Sequence, residues 1–126
     1  MVVLDTSALL YWTTAPEKLT LRAARAISEA PEIVISSISL WEIGLKVKRQ
    51  QLSIPISLRK YTDWLKGVNG VQVVPVSEEM WLGNLELAWD HKDPADRTIV
   101  AMAILLGCPL ITSDRQIQSF YSSVIW

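Results

Sequence analysis

Short unbroken apolar runs alternate with longer stretches of helical periodicity along the whole chain. VVL (2–4), EIVIS (32–36), VQVVPV (71–76) and PLIT (109–112) are β-branched or otherwise apolar and read as strands, with SVIW (123–126) as a last one. Between them, SALLYW (7–12) predicts a short helix and Pro16 a turn. Further helices are predicted over about 20–30, 37–49, 57–67 and 77–89. Pro94 sits where a first helical turn starts, ADRTIVAMAILL continues it as a nearly all-apolar helix, and Gly107 closes it. DRQIQSF (114–120) is a final short helix. Strands that are apolar throughout, rather than alternating, are strands covered on both faces. The pattern therefore predicts an α/β doubly wound fold: a central, mainly parallel sheet of four to five strands flanked by helices. In such folds, sites form outside the carboxyl ends of the strands. Asp5 directly follows the first strand, and Asp114 closely follows the fourth.

Composition narrows the class. A chain of 126 residues, half of them apolar, fits one domain able to bury a core without staples. Cys108 is the single cysteine, so no intrachain disulfide forms, and its apolar setting in LLGCPLI reads as a small buried hydrophobe. There is no Cys/His zinc pattern and no secretory signal, and the longest apolar run, IVAMAILL (99–106), falls well short of the roughly 20 residues that span a bilayer. These features predict a cytoplasmic protein with no membrane partner. A net charge of −1 argues against gripping nucleic acid by bulk electrostatics, so a nucleic-acid substrate has to be met by a local basic patch. Six tryptophans are many for this length; they fill the core or mark a partner interface, with Trp12, Trp41 and Trp81 the candidates for the latter.

The candidate chemistry lies in four acids, each of which also has a plainer reading. Asp5 and Asp114 occupy strand-to-helix turns, where an aspartate serves equally as a helix N-cap. Asp96 falls at the third position of the helix opened by Asp93 and Pro94, where it complements the helix dipole; yet Ile99, Val100 and Ala103 on the same face aim it toward covered territory. Glu42, Lys46 and Arg49 share one stripe of their helix, either a solvated face or the border of a groove in which Glu42 binds metal and the two bases meet RNA phosphates. Carboxylates that converge repel one another, and a divalent cation removes that conflict. An all-oxygen set suits Mg²⁺ or Mn²⁺ rather than zinc, and such ions serve phosphoryl chemistry.

The stretches VVLDTSALL, ISSISLWEIGLK and HKDPADRTIVAMAILLGCPLITSD, at these separations, resemble PIN-domain nucleases, specifically the VapC-type toxins of bacterial toxin–antitoxin modules. The resemblance extends over nearly the whole chain. It implies a metal-dependent endoribonuclease held inactive by a cognate antitoxin protein, and a homodimer. By position, Asp5, Glu42, Asp96 and Asp114 match the family's acidic set, both catalytic and metal-binding. The resemblance also places Ser7 and Thr112 as supporting hydroxyls. Asp93 is a further supporting candidate, although capping accounts for it, and His91, the only histidine, reads as structural or solvent-exposed, with a general-base role as the alternative. Two rival classes remain. One is a phosphotransfer domain with a strand-end aspartate: a haloacid-dehalogenase-type phosphatase wants a second acid where Ser7 stands, and a receiver domain wants a lysine after a late strand, where SDR follows. The other is a non-catalytic α/β module that binds a partner through its tryptophans.

Overall fold

In the computed structural model, which describes residues 1–126, five strands form one sheet in the order β3-β2-β1-β4-β5. The strands are β1 (Val2–Leu4), β2 (Ile33–Ser36), β3 (Val71–Val74), β4 (Leu110–Ile111) and β5 (Val124–Ile125), and every pairing is parallel. Seven helices connect them: α1 (Thr6–Thr14), α2 (Leu21–Glu29), α3 (Ser37–Lys48), α4 (Leu58–Gly67), α5 (Glu78–Glu86), α6 (Pro94–Leu106) and α7 (Arg115–Phe120). The doubly wound α/β architecture matches the sequence pattern. The turn at Pro16 is a 3-10 segment over Pro16–Lys18.

Side chains of each strand divide between two cores, as the two-residue period of a strand requires. Val2, Leu4, Ile33 and Ile35 face one side, with Leu9 of α1, Ile27 of α2, Ile43 of α3 and Leu65 of α4. Val3, Val34 and Leu110 face the other, with Met80 of α5, Ile99 and Met102 of α6 and Ile117 of α7. This double burial explains the unbroken apolar runs. Cys108 lies in the second core, and burial pushes its thiol up, as expected of a structural cysteine rather than a nucleophile.

Helix ends follow their local chemistry. Thr20, Ser57 and Ser77 cap α2, α4 and α5 with their hydroxyls. Gly107, with φ 62°, ends α6 in the left-handed conformation that a side chain would strain, and lets the chain turn into β4. α5 ends at Glu86, three residues before the expected Trp89. The reason lies in α6: the Arg97 guanidinium donates to the carbonyls of Asn84 (2.6 Å), Leu87 (3.2 Å), Trp89 (2.6 Å) and His91 (3.0 Å). Charge-assisted bonds to these carbonyls stabilise an irregular 87–93 loop in place of a further helical turn.

In the strand order, the sequence runs outward from β1 in both directions, so β1 and β4 flank the topological switch point, where open α/β sheets place their ligands. The register sets Leu4 beside Ile111. The residues just beyond, Asp5 and Thr112, are thereby neighbours, and the backbone N–H of Asp5 donates to the Ile111 carbonyl at 3.2 Å.

Candidate active site

Three aspartates meet at that rim. Asp5 leaves β1 and caps α1, its Oδ1 accepting from the Ala8 N–H at 2.7 Å. Its Oδ2 accepts from the Thr112 hydroxyl, whose oxygen in turn accepts the Asp114 N–H at 3.0 Å. One hydroxyl thus ties the end of β1 to the turn that carries Asp114. Asp114 Oδ1 caps α7 through Gln116 (2.8 Å) and Ile117 (3.4 Å), which leaves Oδ2 without a protein partner. Asp93 caps α6 by accepting the Asp96 N–H at 2.9 Å, and Asp96 Oδ2 meets His91 Nε2 at 2.7 Å, leaving Oδ1 unspent. The capping reading therefore holds for Asp5, Asp93 and Asp114, yet capping uses only part of each carboxylate.

Electrostatics separate this group from ordinary caps. Burial pushes the Asp5 carboxyl up to about 6 against the hydrogen bonds from Thr112 and Ala8, and the charges of Asp96 and Asp114 add to the rise. Asp96 is raised as well, first by burial and then by Asp93 and Asp114, with the His91 hydrogen bond opposing. Asp5 is only 5% exposed. No lysine or arginine pairs with any of these acids; the ion pairs in the chain are Arg25–Glu29 and His91–Asp96. Like charges gathered in partly buried surroundings, with only His91 beside one of them, are a cost that structural capping alone does not require.

The donor set is all oxygen apart from His91, which fits a hard divalent cation in chemistry. It is not preset to metal bond lengths, because no three acidic, histidine or cysteine side chains are arranged to share one ion. Asp96 Oδ1 and Asp114 Oδ2 are unengaged, so each acid has an oxygen to offer while keeping its present partner.

Glu42 is half-buried on α3 and forms no ion pair. Lys46 is half-buried further along α3, and Arg49 is its exposed C-cap. Ser7, in the first turn of α1, is not a partner of Asp5, whose hydrogen bonds come from Ala8 and Thr112. The neighbouring hydroxyl is the one engaged: Thr6 donates to Ser39 at 3.0 Å, a buried bond between α1 and α3. Trp41 and Trp81 are exposed, as is Trp64, which the sequence pattern did not single out. Trp12 does not fit the expected surface anchor: it is half-buried and packs against the first core, because the apolar face of α1 must cover the sheet. His91, expected to be structural or exposed, is buried enough and close enough to bond Asp96 directly. Arg97 is the residue that reading the sequence missed, and its only signal was a cation placed directly after Asp96 on an otherwise apolar helix.

The sequence profile of the PIN domain matches residues 2–122. Ribonuclease VapC22 of Mycobacterium tuberculosis is 32% identical over 122 residues, covering 94% of this chain and 90% of that protein. Among solved structures, a toxin–antitoxin complex from Klebsiella pneumoniae superposes with a TM-score of 0.69 at 19% identity, covering 100% of this chain and 97% of the other. VapC20 of M. tuberculosis, described as a sarcin–ricin-loop-cleaving toxin, gives 0.65 at 17% identity over 96% of this chain and 97% of its own. VapBC2 of Rickettsia felis, bound to a DNA fragment from its promoter, gives 0.68 at 16% identity over 98% and 96%. At these identities the structural likeness shows the fold.

Proposed function

The chain belongs to the PIN-domain family, and from that premise we propose that it is a divalent-metal-dependent endoribonuclease, the toxin of a toxin–antitoxin pair. The observation that carries this reading is the convergence of Asp5, Asp96 and Asp114 at the β1/β4 switch point with no lysine or arginine to neutralise them. Asp5, Asp96 and Asp114, with Glu42 from α3, are the residues that would hold Mg²⁺ or Mn²⁺. Bound there, such an ion supplies neutralising charge, an acidified water and stabilisation of the attacked phosphate.

The protein's own part is positional. Thr112 and the Ala8 N–H hold the two oxygens of Asp5 in fixed directions, and the same hydroxyl anchors the backbone of Asp114. Support of this kind orients a ligand and tunes its basicity. Asp93 shapes the first turn of α6 and so aims Asp96. His91 holds Asp96 Oδ2 and leaves Oδ1 for the site. In this reading Lys46 and Arg49 meet RNA phosphates at the α3 side.

The name of the mycobacterial ribonuclease supports the reaction class, and the toxin–antitoxin complexes among the structural neighbours support an antitoxin partner. Exposed Trp41 and Trp81 offer anchors for that partner or for a second copy of this chain. No helix is long and apolar enough to cross a membrane, in keeping with a site of action in the cytoplasm. Purified protein should cleave RNA with Mg²⁺ or Mn²⁺ and stop on chelation; cleavage that persists in excess EDTA removes the metal from the mechanism. Growth arrest on expression should be relieved by a small neighbouring gene product that binds the chain.

A further inference from the structure

Beside the aspartates, between the 87–93 loop and α7, lies an open groove of about 500 Å³. Trp89, Asp90, His91, Lys92, Gln116 and Ser119 line it. Two of these residues also hold the acids: His91 Nε2 bonds Asp96, and the Gln116 N–H bonds Asp114. The groove therefore adjoins the candidate active site through His91 and Gln116.

Its walls are stiff. Arg97 donates to the carbonyls of both Trp89 and His91, and the Trp89 ring packs against His91 (centroids 4.6 Å apart) and stacks on Phe120 (4.8 Å, interplanar angle 8°). The indole is thus held in place by its aromatic neighbours. The free groups lie around it. Lys92 has no ion-pair partner, and the Gln116 side-chain amide makes no hydrogen bond, whereas Gln118 one turn-face away is spent on the Thr112 carbonyl. Ser119 donates its proton to the Gln116 carbonyl at 2.9 Å and keeps its lone pairs. Asp90 offers an acceptor for ribose or base-amino donors and repels phosphate.

The geometry points to this groove as the subsite for the nucleotide adjoining the cleaved bond. Lys92 meets its backbone phosphate, while Gln116 and Ser119 read its base edge. The inference rests on the ribonuclease reading and deepens it by assigning where the RNA runs and what discriminates its sequence. An unpaired cation beside unspent amide and hydroxyl groups matches one nucleotide, which brings an anion and a polar edge together. A rigid wall favours selection, because little ordering is left to be done on binding.

The test compares wild type with Lys92→Ala, Gln116→Ala and Ser119→Trp, all at solvent-accessible positions, using single-stranded RNA randomised around the cut site. Lys66→Ala, on α4 at the opposite edge of the sheet, removes the same charge away from the groove. RNA binding is measured in parallel in the Asp5→Asn background, so that cleavage does not consume the probe. Lys92→Ala should raise KM about tenfold with kcat little changed, and lower the slope of log affinity against log salt by about 0.7. Gln116→Ala and Ser119→Trp should flatten or shift the base preference next to the cut, and Lys66→Ala should do neither. If wild type cleaves and the three groove variants keep its KM, salt slope and cut-site pattern, the subsite is overturned while the nuclease reading stands. If they change only the affinity of a co-expressed protein partner, the groove belongs to that partner and the proposal likewise falls. If wild type does not cleave but Lys92→Ala still weakens RNA binding with the loss of salt slope, the groove binds RNA and it is the nuclease reading that fails.

Discussion

The rim at β1 and β4 and the stripe along α3 carry the same kinds of candidate residue but differ in how the fold treats them. At the rim, the charges of Asp96 and Asp114 act on Asp5, one hydroxyl joins Asp5 to the Asp114 backbone, and no lysine or arginine pairs with any of the three. Along α3, Glu42 and Lys46 are half-buried and Arg49 exposed, at the spacing of an i,i+4 pair, although no ion pair forms between them. The difference is one of attachment. A residue just past a strand, as Asp5 and Asp114 are, inherits its position from the sheet register, fixed by backbone hydrogen bonds on both sides; Asp96 is set instead by the capped first turn of α6. A residue on a helix face reaches the site only as far as the helix's rotation and tilt permit. Charges placed by the sheet can be forced together, whereas charges on a helix face remain free to pair.

The largest expected effect comes from breaking the rim. Asp5→Asn should lower metal-dependent RNA cleavage by more than the roughly 100-fold that loss of an outer-sphere partner costs. Glu42→Gln, measured beside it, should cost less; an equal loss would place α3 on the same footing as the rim. A cleaving Asp5→Asn protein would remove Asp5 from the active site.

Thr112→Val keeps the shape of the buried side chain and deletes the hydroxyl between Asp5 and the Asp114 backbone. Cleavage should fall about 10- to 100-fold, and metal affinity with it. A variant that loses stability but keeps full activity and metal affinity would show the hydroxyl to be a packing detail.

The third expectation concerns stability and pH. The Asp5 carboxyl is raised in the folded protein to about 6 from an ordinary value of 3.8, so the folded state holds its proton more tightly than the unfolded state does. The associated stability is present in full below the unfolded value and is lost as pH rises through about 6. Metal-free protein should therefore lose on the order of 2–3 kcal/mol between pH 4 and pH 7 from this group, with Asp96 acting in the same direction. Asp5→Asn should flatten that dependence and melt higher than wild type at pH 7, by about 0.5–2 kcal/mol, because it removes one of the crowded charges. Millimolar Mn²⁺ should stabilise wild type more than the variant, through RT ln(1 + [L]/Kd). An Asn variant that melts and responds to metal as wild type does would make Asp5 a helix cap only, since Asn caps about as well.

The smallest effect belongs to the stripe. If Lys46 and Arg49 meet phosphates, each alanine substitution should remove about 0.7 from the salt slope of single-strand RNA binding. Unchanged slopes would leave α3 a solvated face.

Much of this molecule follows from local rules that the chain states directly. Apolar runs covered on both faces specify a parallel sheet, and alternation with helical periodicity specifies a doubly wound one. That topology carries Asp5 and Asp114 to one rim whatever the rest of the chain does. Asp93, Pro94 and Gly107 delimit α6 through capping and backbone preference, which are likewise local. What only the tertiary structure decided are contacts between segments whose relative placement no local rule sets. Helical periodicity runs α5 on to Trp89, but Arg97 reaches across from α6 and satisfies the carbonyls of an irregular loop instead, which puts His91 on Asp96. The β1–β4 register brings Thr112, rather than Ser7, to Asp5. The packing of α1 on the sheet half-buries Trp12 against the first core. Periodicity assigns a residue to a face of its own element; only packing assigns that face a neighbour.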